Sequence, residues 1–228
     1  MTSHGPRRPN LRYEARLWRQ GCVHVAGLDE VGRGAWAGPL VAAAVVLPAG
    51  RANLARMLRG VRDSKVMTAA GRDCWADAIL GVAQAWAVGS AAPGEVDDFG
   101  PLGATRLAMQ RALDALAVRP DHLLIDYLRL PDCPLPQTAM PRGDARMLSV
   151  AAASVVAKVW RDRVMMMHDE NFPEFGLARN KGYGTPEHRR ALERLGPTPL
   201  HRLSYYPVAQ ARARFAPSGR DEMVKPVR

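Results

Sequence analysis

The sequence is poor in residues that would cross-link the chain or anchor it in a membrane. Its three cysteines, Cys22, Cys74 and Cys133, lie far apart without CxxC spacing, which indicates neither a disulfide framework nor a zinc site. The longest apolar run, from Pro39 to Pro48, is too short to cross a bilayer, and the first twenty residues lack the apolar stretch of a signal peptide. We therefore expect a cytoplasmic protein.

Negative charge is also scarce. The 228 residues include 22 Asp and Glu against 32 Lys and Arg, a net charge of +10, and the 47% hydrophobic content argues against a largely disordered chain. The imbalance is greatest in residues 179–228, which contain 11 Lys and Arg but 4 Asp and Glu. A positive field of this kind attracts polyanions, so nucleic acid is the leading class of partner.

The hydrophobic pattern predicts strands in an α/β arrangement. Four segments have the composition and length of strands: residues 23–29, 39–48, 84–91 and 122–128. Residues 101–118 and 143–170 have helical patterns, and Ala151 to Ser154 give the second helix a small-residue face that can approach a sheet closely. Residues 1–20 are either a loose basic arm or one short helix. This order favours an α/β fold with a mixed sheet.

Four acidic residues stand at the ends of predicted elements. Asp29 and Glu30 end the first strand, Asp126 ends the apolar run "LLI", and Asp144 comes just before the long helix. If the strands are neighbours, these carboxylates meet at one edge of the sheet, where like charges need compensating protons or cations. Ligand sets made only of oxygen select Mg²⁺ or Mn²⁺, and such a centre in a basic protein suggests a metal-dependent nuclease or nucleotidyl transferase.

Each acid also has an ordinary structural interpretation. The Asp29–Glu30 pair has the composition of a turn, Asp126 can be a solvated loop residue, and Asp144 can cap the following helix. In that case the chain would be a non-catalytic basic nucleic-acid-binding protein. The joint arrangement of the four acids favours the catalytic interpretation.

The glycines after Asp29 and Glu30 do not form a dinucleotide-binding motif. Gly32, Gly34 and Gly38 miss the GxGxxG spacing by one residue, and a predicted strand follows where that motif requires a helix. Without a Cβ, these glycines expose backbone groups that can lie close to a sugar or a phosphate.

Taken together, the motifs "GLDEVGRG", "DSKVM", "LLIDY", "GDARMLSVAAASVVAKVWRDRVM" and "NKGYGTPEH" resemble bacterial ribonuclease HII in order and spacing, from about Val23 to about Val208. The resemblance implies an RNase H-like fold with a mixed central sheet flanked by helices, plus a small helical C-terminal portion. It divides the chain into a basic N-terminal arm (1–20), a catalytic core (21–178), a basic helical portion (179–215) and a disordered tail (216–228).

The activity that the resemblance implies is hydrolysis of the RNA strand of RNA–DNA hybrids. The family also nicks duplex DNA on the 5′ side of an embedded ribonucleotide, leaving 3′-hydroxyl and 5′-phosphate ends, in ribonucleotide removal and in degradation of primers and hybrids. The implied ligands of two Mg²⁺ or Mn²⁺ ions are Asp29, Glu30, Asp126 and Asp144. The implied substrate-binding residues are Gly32, Arg33 and Gly34 at the ribose 2′-hydroxyl, Tyr183 on the neighbouring sugar, and Lys65, Arg146 and Lys181 near the phosphates.

The sequence departs from the family pattern at three positions. Tyr127 replaces a common glycine, Trp36 replaces a smaller residue or proline, and Val66 replaces a lysine. The first two could crowd the groove or stack on a nucleotide. The enzymatic alternative is the sister ribonuclease HIII, which normally has an additional N-terminal domain. We expect a monomer, and the tail "VKPVR" is too weak a signal to indicate a sliding-clamp partner.

Overall fold

The computed structural model describes residues 8–215, which form a five-stranded mixed sheet between layers of helices. The strands are β1 (Val25–Val31), β2 (Leu40–Val46), β3 (Ala85–Ala91), β4 (His122–Asp126) and β5 (Gln137–Met140). The helices are α1 (Arg12–Arg19), α2 (Leu54–Met57), α3 (Ala69–Val82), α4 (Pro93–Asp114), α5 (Leu148–Asn171), α6 (Leu177–Asn180), α7 (Pro186–Leu195) and α8 (Tyr206–Phe215). Short 3₁₀ helices cover Ser64–Val66, Gly143–Ala145 and Pro173–Phe175. None of the helices within residues 8–215 has the length and apolar composition needed to span a membrane.

The strands are arranged in the order β3-β2-β1-β4-β5. The β1–β2 and β2–β3 pairs are antiparallel, whereas β4 runs parallel to both β1 and β5. Leu28 of β1 is paired with Ile125 of β4, so Asp29 and Asp126, the next residue of each strand, lie at the same level. The expected convergence of these two acids at one edge of the sheet is therefore confirmed.

Alternate residues of β1 and β2 face opposite layers of helices. One face packs on α4, and the other packs on α3 and α5. Gly27 marks the closest approach, since a Cβ built there would lie 2.2 Å from the carbonyl carbon of Ser149 in α5. Ala151–Ala153 of α5 are completely buried, as expected of its small-residue face. The start of α5 is thus held tightly against the strand that carries Asp29.

The mixed α/β architecture and four predicted strands are confirmed, but some boundaries were wrong. The proline-rich segment before residue 141 contains the additional edge strand β5, which pairs with β4. The long helix begins at Leu148, not at Gly143, because the chain first makes a 3₁₀ turn. Helix α4 begins at Pro93, and Gly100, with φ 68° and ψ 167°, interrupts its helical geometry just before the predicted start.

The first described residues pack against the start of α5 and form a helix, one of the two alternatives that the sequence left open. The N–H of Asn10 donates to the carbonyl of Arg146 over 3.2 Å, and the N–H of Leu148 donates to the carbonyl of Asn10 over 3.1 Å. Glu14 is fully buried, and its Oε1 accepts from the N–H (2.8 Å) and hydroxyl (2.7 Å) of Ser149. Burial raises the pKa of Glu14, although these hydrogen bonds oppose the shift. This buried carboxylate supplies a partner for an otherwise unpaired N–H in the first turn of α5.

The C-terminal residues form a separate hydrophobic cluster around Phe175, Leu192 and Val208. Thr185 caps α7, since its hydroxyl accepts from the N–H of His188 over 3.3 Å. Helices α6, α7 and α8 agree with the predicted helical composition of this portion, whereas its separation from the core at residue 178 stays a prediction. The predicted disordered tail, residues 216–228, lies outside the described residues.

Gly27→Ala should destabilise the protein by about 1–3 kcal/mol or more, because the new methyl group meets the backbone of α5, which has little freedom to move. The matched control is Gly81→Ala in α3, where nothing lies within 4 Å of the added Cβ. The control should be stabilised by up to about 1 kcal/mol, since alanine favours a helix over glycine. Urea unfolding followed by circular dichroism measures both changes. Equal stability of Gly27→Ala and the wild type would contradict this account of the packing.

Candidate active site

Four acidic side chains form what we call the carboxylate cluster: Asp29 and Glu30 near the end of β1, Asp126 at the end of β4, and Asp144 just before α5. Asp29 is 4% exposed and Asp144 is 6% exposed, whereas the other two are partly buried. Asp144 belongs to the Gly143–Ala145 turn, and the N-cap of α5 is Met147. The helix-capping alternative for Asp144 is therefore wrong.

The members of the cluster influence one another electrostatically. Burial raises the pKa of Asp29 well above its ordinary value, and the charges of Glu30, Asp126 and Asp144 raise it further. Burial also raises the pKa of Glu30, and Asp126 adds to this effect. The pKa of Asp144 is raised by burial first and then by neighbouring acids. Such mutual repulsion in a partly buried site is relieved by protons or by cations.

Several carboxylate oxygens in the cluster have protein partners. Glu30 pairs with Arg33 over 3.2 Å, and Oδ1 of Asp126 accepts from the N–H of Gly143 over 2.6 Å. Ser154 hydrogen-bonds to Asp29, which opposes the rise in its pKa. Across residues 8–215, no three His, Cys, Asp or Glu side chains are already arranged to hold a metal ion. The assignment of metal ligands therefore stays a prediction, supported by the donor chemistry: every member offers oxygen, which suits Mg²⁺ and Mn²⁺.

A fifth acid and a lysine adjoin the cluster. Asp63 is the neighbouring charge with the greatest effect on Asp144, raising its pKa after burial has done so. Burial lowers the pKa of Lys65, but Asp63, Asp29, Asp144 and Asp126 together raise it above its ordinary value. This coupling puts the charge of Lys65 near the cluster, and its contact with a phosphate stays a prediction. Sequence reasoning missed Asp63, although it belongs to the same "DSK" motif.

The glycine turn, Gly32–Gly34, lines a cavity of about 430 Å³ together with Glu30, Lys65 and Tyr183. Gly32 has φ +90°, and a Cβ there would lie 2.3 Å from Nε of Arg161. Gly34 differs from Gly32, because a Cβ at Gly34 would have no neighbour within 4 Å. Within residues 8–215, the amide and the carbonyl of Gly34 have no hydrogen-bond partner. This part of the turn is therefore free to contact a ligand.

Two fully buried arginines bind the backbone of the turn and of the segments beside it, and sequence reasoning did not assign them a role. Arg161 of α5 donates to the carbonyls of Pro39 (2.9 Å), Ala37 (3.2 Å) and Lys181 (2.8 Å). Burial lowers its pKa to about 10, so the guanidinium remains charged at neutral pH.

Arg202 donates to the carbonyls of Gly32 (2.7 Å), Arg33 (3.1 Å) and Gly38 (3.0 Å). Burial lowers its pKa as well. The hydroxyl of Tyr205 also donates to the carbonyl of Arg33. Arg161 lies within the motif that begins "GDARML", but no pattern in the sequence indicated that Arg161 or Arg202 would be buried.

Tyr183 is 36% exposed, and the guanidinium of Arg161 lies 5.5 Å from the centre of its ring. Behind it stands a buried pair of histidines, His188 and His201, whose Nε2 atoms are 3.0 Å apart. Nδ1 of His188 lies 3.0 Å from the carbonyl of Tyr183, and Nδ1 of His201 lies 3.0 Å from the N–H of Thr198.

These contacts determine the tautomers of both rings. The backbone N–H of Thr198 can only donate, so Nδ1 of His201 accepts and its Nε2 carries the proton. Nε2 of His188 then accepts, and its Nδ1 donates to the carbonyl of Tyr183. Two neutral imidazoles thus form one directed chain of hydrogen bonds that ends on the backbone of Tyr183. Sequence reasoning assigned neither histidine a role, since only the fold brings them together.

The two remaining predicted substrate contacts lie elsewhere. Lys181 is outside the lining of the glycine-turn cavity, and its Nζ donates to the carbonyl of Ala178 over 2.6 Å. Arg146 is exposed and lines a different cavity with residues of α1. The structure thus brings together the carboxylate cluster, Gly32–Gly34, Lys65 and Tyr183, whereas Arg146 and Lys181 lie outside the lining of the glycine-turn cavity.

The two unusual aromatic residues have different environments. Tyr127 is 63% exposed with φ +65°, a left-handed conformation that costs a bulky residue more than the glycine it replaces. The guanidinium of Arg33 lies 5.9 Å from the centre of its ring. Trp36 instead packs against Gly184 and His188. Tyr127 is therefore available to a nucleotide, whereas Trp36 contributes to the packing of the C-terminal portion.

Comparison with known proteins identifies one family. The family described as Ribonuclease HII matches residues 26–208. Ribonuclease HII of Synechococcus sp. (strain JA-3-3Ab) is 51% identical over 205 residues, 90% of this chain and 91% of that protein. Ribonuclease HII of Chloroflexus aurantiacus is 50% identical over 203 residues, 89% of this chain and 96% of that protein. The crystal structure of ribonuclease H2 from Pyrococcus horikoshii OT3 superimposes with a TM-score of 0.69 at 27% identity, covering 84% of this chain and 98% of the other.

The buried histidine pair makes stability depend on pH. Burial first, and then the charge of His188, lower the pKa of His201 from 6.5 to about 4, so the unfolded chain takes up this proton at a higher pH than the folded chain does. The contribution of the neutral pair is present above pH 6.5 and is lost as the pH falls towards 4, with a magnitude on the order of 3 kcal/mol.

We therefore expect His201→Gln to flatten the decrease in the free energy of unfolding between pH 6.5 and 4, relative to the wild type. The carboxylates titrate in both proteins, so the difference between the two curves isolates the histidine. His24→Gln, outside the pair, serves as the control. Urea unfolding at a series of pH values measures the effect, and parallel curves for His201→Gln and the wild type would contradict it.

Proposed function

The chain belongs to the ribonuclease HII family and is an endonuclease that hydrolyses RNA in RNA–DNA hybrids, and we propose that the carboxylate cluster is its catalytic centre. The observation that carries this proposal is the burial of several mutually repelling carboxylates beside a glycine turn with free backbone groups. We further propose that the enzyme nicks duplex DNA on the 5′ side of an embedded ribonucleotide, leaving 3′-hydroxyl and 5′-phosphate ends.

Enzymes of this family depend on divalent metal ions, and the cluster would hold two Mg²⁺ or Mn²⁺ ions. Asp29 and Asp126 are best placed to do so, because they lie at the same level on neighbouring strands. Glu30 would have to exchange its contact with Arg33, whose side chain is 43% exposed, for a metal ion. When bound, a pair of such ions activates a water molecule and stabilises the leaving oxygen of a phosphodiester.

The glycine turn would recognise the sugar of the ribonucleotide. A 2′-hydroxyl both donates and accepts hydrogen bonds, and it distinguishes RNA from DNA at a single position. The free amide and carbonyl of Gly34 offer one partner of each kind, while Arg202 and Arg161 prevent the turn from adapting to a deoxyribose. Tyr183, partly exposed in the same cavity, would pack on the neighbouring sugar.

The cations near the cluster would hold the scissile phosphate. Lys65 is the strongest candidate, since its charge is coupled to three members of the cluster. Lys181 has its ammonium group on a backbone carbonyl, and we propose that it acts by fixing the backbone next to Tyr183 instead of by contacting phosphate. The relatives at about 50% identity favour ribonuclease HII over the sister ribonuclease HIII.

Asp126→Asn should reduce cleavage of a DNA duplex containing one ribonucleotide by at least about a hundredfold, because the amide removes a negative oxygen from the proposed ion site. Asparagine retains an oxygen that can accept from Gly143, so the fold should persist. Binding of the duplex should be unchanged or tighter, as one negative charge is lost. Asp77→Asn, at an exposed position of α3, is the matched control and should cleave normally.

Cleavage is measured by gel electrophoresis with Mg²⁺, Mn²⁺ or a chelator, and binding by fluorescence anisotropy. An all-DNA duplex tests whether the ribonucleotide is required. Equal nicking of the all-DNA duplex would overturn the proposed specificity, and full activity of Asp126→Asn would overturn the proposed centre.

Gly34→Ala tests the proposed contact with the sugar. The added methyl group has no protein neighbour within 4 Å, so the free energy of unfolding should be nearly unchanged. If the turn lies against the ribose, the same methyl group should raise KM roughly tenfold or more, since about 1.4 kcal/mol of lost binding corresponds to a factor of ten. Gly94→Ala, another position with open space, should leave KM unchanged. Unchanged cleavage by Gly34→Ala would mean that this backbone does not approach the substrate.

A further inference from the structure

A second cavity, of about 620 Å³, opens between α1 and the turn that carries Asp144. Four arginines line it, Arg8, Arg12, Arg16 and Arg146, together with Asn10, Tyr13 and Ala145. No acidic residue is part of this lining. This cavity shares no lining residue with the glycine-turn cavity, so the two cavities are separate.

The arginines of this cavity carry uncompensated charge. Within residues 8–215, none of the four forms an ion pair within 4.0 Å, and all four are exposed. Arg12 and Arg16 are one helical turn apart, and like charges at this spacing destabilise a helix. The opposite face of α1 buries Glu14 against Ser149, so the helix cannot rotate to separate or rebury these charges. An anion in the cavity would remove this repulsion.

The cavity is attached directly to the catalytic centre. Arg146 follows Asp144 by two residues, which limits the separation of their Cα atoms to about 7 Å. Asn10 makes a parallel β-bridge with Met147 and hydrogen-bonds to both neighbours of that residue. The arginines of α1 are therefore fixed relative to Asp144.

We propose that the arginine cavity binds backbone phosphates of the substrate duplex beyond the scissile phosphate. This inference rests on the proposed function of the carboxylate cluster. Guanidinium groups match phosphate oxygens in geometry as well as in charge. Arg12 and Arg16, with Cβ atoms about 5–6 Å apart, would contact neighbouring phosphates. The N-terminal helix thereby extends the substrate site of the catalytic core, and Arg146 acts in this second cavity.

The experiment compares Arg12→Gln/Arg16→Gln with Arg19→Gln. Arg19 lies on the same helix, outside the cavity, with its Nε on the carbonyl of Ala15. The substrates are DNA duplexes with one ribonucleotide and flanks that are extended on the 5′ side, on the 3′ side or on neither side of the cut. For each, kcat and KM are measured at several salt concentrations, and circular dichroism reports the fold.

The proposal predicts a KM three- to tenfold higher for the double variant on duplexes that extend to one particular side, with kcat within twofold of the wild type. The salt dependence of binding should weaken by about 1.8 in the slope of log K against log salt, because two phosphate contacts are lost. On duplexes without that flank, and for Arg19→Gln throughout, KM should match the wild type.

A double variant that behaves like Arg19→Gln on every duplex would overturn the proposal, as would a loss that is independent of flank length. A lower kcat at unchanged KM would also overturn it. Failure of the wild-type enzyme to nick any ribonucleotide-containing duplex would instead contradict the proposed function, so the two failures are distinguishable.

Discussion

The active-site architecture depends on two buried guanidinium groups that bind backbone carbonyls. Arg161 and Arg202 are completely inaccessible, and neither forms an ion pair within residues 8–215. Their donors satisfy the carbonyls of the glycine turn, of the segment from Ala37 to Pro39, and of Lys181. These carbonyls belong to segments without regular secondary structure, so other partners for them are few. The two arginines therefore stabilise these loops by hydrogen bonds to the backbone, as the hydrogen bonds between neighbouring strands stabilise a sheet.

This arrangement explains how rigidity and charge coexist at the sheet edge. Strands β1 and β4 present carboxylates that repel one another. The neighbouring glycine turn has no regular secondary structure that would fix its conformation. Arg161 reaches the turn from α5, the same helix that packs against Gly27 and bears Ser154 beside Asp29. One helix therefore positions both the acids and the turn. The histidine pair also fixes the backbone at Tyr183. Its single consistent set of tautomers leaves the Nδ1–H of His188 to donate to the carbonyl of Tyr183.

Much of the site could be predicted because it depends on local signals. Asp29 and Asp126 each follow a run of apolar residues, and the ends of neighbouring parallel strands meet at one edge. The position of Asp144 was predicted, but its helix-cap alternative required the structure to exclude it. Other features could not be predicted from the sequence. The prolines around β5 obscure the pattern of a strand, and only the folded structure shows that Asp63 lies near the carboxylate cluster. Lys181 and Arg146 lie outside the glycine-turn cavity because of the directions of their side chains, which likewise depend on the tertiary structure.

The sequence by itself determined four of the five strands and the long helices, the identity of the acids and the glycine turn, and the positive charge that suits a nucleic-acid substrate. These properties are encoded in residue type and short-range spacing, so they survive without knowledge of the fold. Only the tertiary structure decided which charges are buried and what they contact. Arg161 and Arg12 are both arginines in helices, yet one is buried among carbonyls and the other faces an open cavity. The difference arises because burial and partners depend on packing between segments that are distant in the sequence.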